Sequence, residues 1–325
     1  MTRIAIIGAG ISSAALAHYL DPAIEIEIFE KARGAGGRMA QRRHGDRHFD
    51  HGAQYFTARG EAFQAFLAPL LHSGNVVEWN PRITTLAKGR KPFKRIWFEP
   101  HYIGVPGMNE PVRSLLTQTT VHYGCRVTAL DFQDGHWQLS LADNSPKPAF
   151  DWVISTAPAP QSRDLLPADF ADAPELERAS LQGCFTLMLG LAESFRPGWD
   201  AAVVNDSSLT WLAMNNRKHG RPAMPAMVAH SSNQWAEEHI EDDPVHIESL
   251  LTGEILQLLD LPAEAIEHSS LHRWLYARVS LPTSTPYCFD PDMRLAACGD
   301  WCIDGRVEAA FDSARQLAMR LNQHL

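Results

Sequence analysis

Hydrophobic and polar positions in this chain follow two periods, and the change from one to the other marks its elements. Residues 4–7, Ile-Ala-Ile-Ile, form a short apolar run that stops at Gly8-Ala9-Gly10. Residues 11–20 are alanine-rich and helical in character. Residues 24–30, "IEIEIFE", alternate isoleucine with glutamate and close on Phe29 and Glu30. This order predicts strand, turn, helix and strand, the βαβ unit of a parallel sheet. Residues 76–97 mix β-formers with Gly89, Pro92 and basic residues and read as a meander outside that unit. Helical spacing over 107–119 carries Pro111 early, where proline is tolerated. Residues 125–143 predict a hairpin turning at Asp134-Gly135, and 151–160 a buried strand halted by two prolines. A second β-rich segment covers 184–191, 209–214 and 227–230. An amphipathic helix is expected over 244–259, and a further strand around Trp274 and Tyr276, which share one face. The last stretch, from Arg294, gives strand, Gly-Asp turn and terminal helix. The chain is therefore α/β and weaves between two domains.

Composition narrows the partners. The 325 residues carry a formal charge of −9 with both signs interspersed, so no face is built for a polyanion and nucleic acid is not expected. The run at 4–7 is too short for a signal peptide, and "FTLMLGLA", residues 185–192, cannot span a bilayer. A cytoplasmic protein without a membrane partner is the expectation. Five cysteines without a CxxC pair argue against both a disulfide framework and a metal site.

The chemistry starts at the first turn. A loop that cradles phosphate needs a tight bend at its first glycine and no side chain at its second, and its third position serves helix packing. Gly8 and Gly10 meet the first two needs, and Ser13 is small enough for the third. Ile11 and Ser12 open the helix whose free N–H groups favour an anion. Glu30, twenty residues beyond Gly10, stands where a carboxylate binds an adenosine ribose. Taken alone, the loop is also compatible with a glycine turn of some other α/β protein. A second glycine cluster, "KARGAGGRM", follows at once and supplies Lys31, Gly36, Gly37, Arg38 and Met39, a basic loop that a nicotinamide dehydrogenase does not need.

Residues 8–13, Glu30 and Gly36-Gly37-Arg38 resemble the flavin amine oxidase and phytoene desaturase superfamily, whose members bind FAD. Four longer stretches, "DHGAQYFTAR" (50–59), "YIGVPGMNEPVRSLL" (102–116), "HRWLYARV" (272–279) and "GDWCIDGRVEAAFDSA" (299–314), are similar to its renalase-like branch. The resemblance implies a Rossmann-like FAD-binding domain, residues 1–60, 100–160 and 285–325. Interleaved with it is an α+β substrate domain, residues 61–99 and 161–284, with a mixed or antiparallel sheet. FAD would be held without a covalent link. Asp300 would meet the ribityl chain, Arg306 and Val307 would open the last helix at the flavin's pyrimidine end, and Val127 would meet the adenine. Gln54, Tyr55 and Phe56 belong to the loop brought over the flavin, with Asp50 as a structural bond to nearby backbone.

The activity implied is oxidation of 2- or 6-dihydro isomers of NAD(P)H to NAD(P)+, with dioxygen reduced to hydrogen peroxide. Tyr55, Asn215, His230, Trp274 and Tyr276 are the candidates for positioning that substrate, with Trp211 beside them. Aromatic rings suit a flat nicotinamide, and Asn215 and His230 suit its carboxamide. Two other readings stay open: an amine oxidase or desaturase with a small organic substrate, and a non-catalytic nucleotide-binding protein. Lys88, Lys91, Lys94, Lys147 and Lys218 all lie outside the motifs that approach the ring, which weakens the amine oxidase reading. A monomer or weak homodimer is expected.

Overall fold

A computed structural model describes residues 1–145 and 147–325. The opening strand, Arg3–Ile7, lies inside a six-stranded sheet. In order, this sheet runs Cys288–Asp290, Leu295–Ala297, Trp152–Ser155, Arg3–Ile7, Glu25–Glu30, Thr120–Tyr123. Every neighbouring pair is parallel except the first, which is antiparallel. Ile4, Ala5 and Ile6 have no exposed surface, as the apolar run requires of a strand covered on both faces. This is the Rossmann-like sheet expected from the βαβ unit.

The helices Ile11–Tyr19 and Val307–His324 lie together on one face of the sheet. Small side chains, among them Ala14, Ala15, Ala314 and Ala318, are fully or almost fully buried there. The Ser12 hydroxyl donates to the Ala310 carbonyl at 2.9 Å and pins the two helices to each other. A third helix, Glu61–Ser73, was not anticipated. Its Phe63 and Phe66 rings stand 5.0 and 4.8 Å from that of Phe311. Its first turn is anchored by Glu308, whose carboxylate accepts the Gly60 N–H at 2.5 Å.

The second large sheet has seven strands, in the order Ile266–Leu281, Ser180–Leu191, Ala226–Ser231, Leu209–Met214, Ala201–Val204, Ile83–Leu86, Phe93–Arg95. All pairs are antiparallel except Ala201–Val204 with Ile83–Leu86. The sheet is therefore mixed. One face buries Phe185, Leu187 and Leu212 against Ile247, Leu251 and Ile255 of the helix Pro244–Leu259. The other face turns toward the first sheet.

Several boundaries differ from the pattern for local reasons. Regular helix covers only Glu110–Leu115 of the 107–119 segment, because the backbone leaves helical angles at Leu116 and the threonines beyond lead into the strand Thr120–Tyr123. Pro158 and Pro160 do not merely halt a strand: they open the helix Ala159–Leu165, with Pro160 in its first turn. The 76–97 segment divides. Val76–Glu78 pairs with Tyr102–Gly104, while Ile83–Leu86 and Phe93–Arg95 join the seven-stranded sheet. The hairpin pairs Val127–Gln133 with His136–Leu141, turning through Asp134 and Gly135 at φ 51° and 82°, the positive angles a tight hairpin uses. The five cysteines are free, and all but Cys125 are buried.

Phe311→Ala should cost about 3–5 kcal/mol, because it empties the contact shared by the first, third and last helices. Chemical denaturation followed by far-UV circular dichroism would measure the loss.

Candidate functional site

A cleft of about 1960 Å³ is lined by residues of both large sheets. At one end the two glycine loops face each other. Gly8 has φ +104°, and a Cβ there would stand 2.7 Å from the Thr156 hydroxyl. The Gly36 N–H donates to the Ala9 carbonyl at 2.8 Å, and a Cβ on Gly37 would lie 3.6 Å from the Gly10 Cα. Gly10 differs from these neighbours. A Cβ there would meet no protein atom within 4 Å, so the space before it is open for a ligand.

Two helices begin at this cleft without a side-chain cap, one after Gly10 and one after Arg306. Their first-turn N–H groups are available to an anion or a polarised oxygen. Ile11 and Ser12 line the cleft at the first helix, and Arg306 and Val307 at the second. Ser13 does not line it: the side chain is buried and its hydroxyl donates to the Gly10 carbonyl at 2.7 Å. The third position of the loop thus serves packing.

The Glu30 carboxylate accepts N–H groups from Ala9 at 2.8 Å and Ala32 at 2.7 Å. Two bonds leave acceptor capacity for ribose hydroxyls, since a carboxylate offers about four lone-pair sites. Lys31 and Val127 line the cleft near it. Arg38 is ion-paired with Asp300, which joins the second glycine loop to the C-terminal motif. The Arg38 carbonyl accepts the Ala53 N–H at 2.8 Å, which draws the 50–56 loop alongside. Met39, Gln54, Tyr55 and Phe56 complete this part of the lining.

Beneath Gln54 lies a charged group that the sequence did not reveal. Asp50, Lys218 and Arg221 have fully buried side chains. Asp50 Oδ2 accepts from Lys218 Nζ at 3.2 Å and from Arg221 Nη2 at 2.6 Å, and Oδ1 accepts the Met108 N–H at 3.1 Å. Burial alone would raise the Asp50 carboxyl, but Lys218 and Arg221 outweigh it and hold it below the usual carboxylate range. Burial, reinforced by Arg221, lowers Lys218 to about 8 against the pull of Asp50. Lys218 also donates to Gln54 Oε1 at 3.1 Å. A lysine set aside for lying outside every motif thus supports the cleft from below.

The other end of the cleft is aromatic. The Tyr55 ring lies 4.7 Å from Trp97, 4.6 Å from His101 and 5.7 Å from Trp211. Opposite, His51 stacks on Trp274 at 5.2 Å, and the Trp274 indole donates to the His51 carbonyl at 3.0 Å. Tyr276 lines the same side. His230 faces the cleft near Gln54, 3.5 Å between Nε2 atoms. Asn215 does not reach it: the side chain is wholly buried and donates to the His48 carbonyl at 2.8 Å. Its place at a strand end misled the sequence analysis. The histidines here stay neutral. Burial, with His272 and Arg42 nearby, pushes His51 down to about 3, and burial with Lys218 pushes His230 down to about 4. Thr186 and Trp211 belong to the lining, but Thr186 Oγ1 and Trp211 Nε1 are themselves buried away from the open space and have no partner. Thr186, a polar residue inside the apolar run 185–192, was the one legible signal among the missed residues.

These features define a two-sheet dinucleotide-binding oxidoreductase fold, and comparison with known proteins agrees. The NAD(P)-binding Rossmann-like domain family matches residues 6–70. The flavin containing amine oxidoreductase family matches residues 95–322, and the chain belongs to that family. Similar solved structures include a protein of Exiguobacterium sp. 255-15 assigned as a protoporphyrinogen oxidase, 13% identical with TM-score 0.76, covering 100% of this chain and 99% of that one. Cyclohexylamine oxidase from Brevibacterium oxydans IH-35A is 11% identical with TM-score 0.74, covering 99% of both chains. Putrescine oxidase bound to putrescine is 12% identical with TM-score 0.72, covering 98% of both. The cofactor of the family is FAD. The open space at Gly10 and the two uncapped helix starts, with Glu30, Arg38, Asp300 and Val307 in the same lining, fit such a group.

Gly10→Val should fold normally, since no protein atom lies within 4 Å of the new Cβ, yet lose flavin. Purified protein lacking the visible flavin bands would bear this out, and a stoichiometrically yellow variant would contradict the placement. Asp50→Asn should destabilise the protein by about 3–5 kcal/mol, because Lys218 and Arg221 lose their buried partner; thermal unfolding would detect it. His51 and His230 bind protons more weakly folded than unfolded, where histidine titrates near 6.5. Their contribution is therefore complete above about pH 6.5 and lost as pH falls toward 4. Unfolding titrations across that window should show it, and His230→Gln should flatten the curve.

Proposed function

We propose that this flavin oxidoreductase oxidises 2- or 6-dihydro isomers of NAD(P)H to NAD(P)+. The observation that carries this reading is the charge and chemistry of the cleft. The whole chain is at −9, yet ten arginine and lysine residues line the cleft against four aspartate and glutamate residues. That excess is more than the pyrophosphate of one bound dinucleotide needs. Arg42, Arg43, Arg273 and Arg278 are exposed along its rim and suit the phosphates of a second one.

The acids in the lining are already engaged. Glu30 accepts backbone N–H groups of both glycine loops, Asp300 is paired with Arg38, Glu99 with Arg59, and Asp164 with Arg163. An ammonium substrate would meet arginines at the mouth and neutral histidines within. A dihydronicotinamide would meet aromatic walls of matching flatness.

The chemistry that bound FAD supplies is acceptance of a hydride and its return, as two electrons with protons, to dioxygen, giving hydrogen peroxide. The protein's own part is placement. Tyr55, Trp211 and Trp274 offer flat apolar faces to a ring, and uncharged His230 adds a hydrogen-bonding group without a competing charge. The uncapped start of the last helix stabilises negative charge developing beside Val307.

Anaerobic mixing with 2- and 6-dihydroNAD isomers should bleach the flavin, while putrescine, cyclohexylamine and other amines leave it oxidised. Bleaching by an amine, with neither isomer active, would replace this reading by an amine oxidase. KM for the isomers should also rise with salt, as ions screen the arginine rim.

A further inference from the structure

The strand Phe93–Arg95 closes the outer edge of the seven-stranded sheet and pairs on one side only, with Ile83–Leu86. Every residue from Lys88 to Ile96 is exposed, whichever face of the strand it occupies. The hairpin joining these two strands therefore projects beyond the packed body of the sheet. At its base the Trp97 ring turns inward, 5.6 Å from Trp79 and 4.7 Å from Tyr55, and fixes where the projection leaves the protein.

Its side chains are of two kinds. Lys88, Arg90, Lys91, Lys94 and Arg95 are basic, and the chain holds no acid between Glu78 and Glu99. Lys88 reaches Gln257 and Arg90 stands 3.7 Å from Asp206, but Lys91, Lys94 and Arg95 have no ion-pair partner among the described residues. Among them stand Phe93, Ile96 and Phe98, 62, 65 and 96% exposed. Single apolar side chains on a surface are ordinary, whereas a cluster of large ones on one projection marks a contact surface.

Charge and shape select what that surface meets. On a chain of net charge −9, this local surplus of cations attracts an anionic partner. It repels a second copy, because pairing two such edges would bring the same cations together. A nucleic acid strand stacks on aromatic faces, and Ile96 has none to offer. A lipid surface takes both kinds of side chain: apolar ones enter the acyl boundary singly, while lysine and arginine stay among the headgroups.

We propose that the hairpin 87–98 is a peripheral membrane-docking element. Phe93, Ile96 and Phe98 enter the interface of a lipid surface rich in anionic headgroups, and Lys91, Lys94 and Arg95 rest against its phosphates. No helix among the described residues is long and apolar enough to cross a membrane, and short apolar runs were the reason to expect no membrane partner. Contact through a hairpin tip needs no spanning run. Glu99 and His101, which follow the hairpin, line the cleft, so a docked molecule carries its cleft close to the lipid.

Sedimentation of the FAD-loaded protein with phosphatidylcholine vesicles, with and without about one-third phosphatidylglycerol, tests this. Binding to the anionic vesicles should exceed binding to the neutral ones at least about tenfold and weaken as salt is raised. Phe93→Ser combined with Phe98→Ser should weaken it at least about tenfold. Lys91→Gln, Lys94→Gln and Arg95→Gln together should weaken it about a hundredfold, each removing about fivefold. All five positions are exposed, so far-UV circular dichroism and the visible flavin bands should match the parent, and the wild-type comparison of vesicles needs no variant. Equal binding to both vesicles, binding to neither, or anionic binding that survives the two phenylalanine changes would overturn the assignment. Without vesicle binding, retention of a single-stranded oligonucleotide or of polyglutamate would overturn it in favour of a nucleic acid or an acidic protein, and a dimer lost with the same changes in favour of a second copy.

Discussion

Asp50 has no exposed surface, and segments from two distant parts of the chain close on its carboxylate. Lys218 and Arg221 come from the loop that follows the strand Leu209–Met214 of the seven-stranded sheet, and Met108 offers its N–H from the loop before the short helix Glu110–Leu115. Arg221 also donates to the Gly104 carbonyl at 2.6 Å. Burying three charged groups is expensive, and only mutual pairing with further hydrogen bonds makes it tolerable. The arrangement fixes the loop that carries His51, Gln54 and Tyr55, and so sets where the cleft floor lies relative to both sheets.

With that floor in place, the remaining parts have simple tasks. The glycine loops remove side chains where a dinucleotide must come close. The two uncapped helices present N–H groups to the cleft. The second sheet adds neutral polar and aromatic side chains, among them Thr186, Trp211, His230 and Trp274, and its Arg273 and Arg278 are exposed at the rim.

Much of this was legible because it is local in sequence. Strand, Gly8, Gly10, helix and Glu30 fall within thirty residues, and their periodicities are unambiguous. The Gly299-Asp300 turn and the helix after Arg306 read equally well. The helix Glu61–Ser73 was missed although Phe63, Phe66, Leu67 and Leu70 share one face, because Pro69 interrupts the pattern near its end. Lys218 was beyond reach for another reason: its partner is 168 residues away, and no periodicity records a charge pair made by tertiary packing. Asn215 failed in the opposite sense. A strand-end amide looks like a ligand group, and only the folded chain shows it committed to the His48 carbonyl.

The helices Ile11–Tyr19 and Val307–His324 lie side by side, and the starts of both line the same cleft. Ser12 and Ala310 are 298 residues apart in the chain yet share a hydrogen bond. One wall of the cleft is thus a seam between remote segments, and slackening of either helix is felt at the mouth of the other.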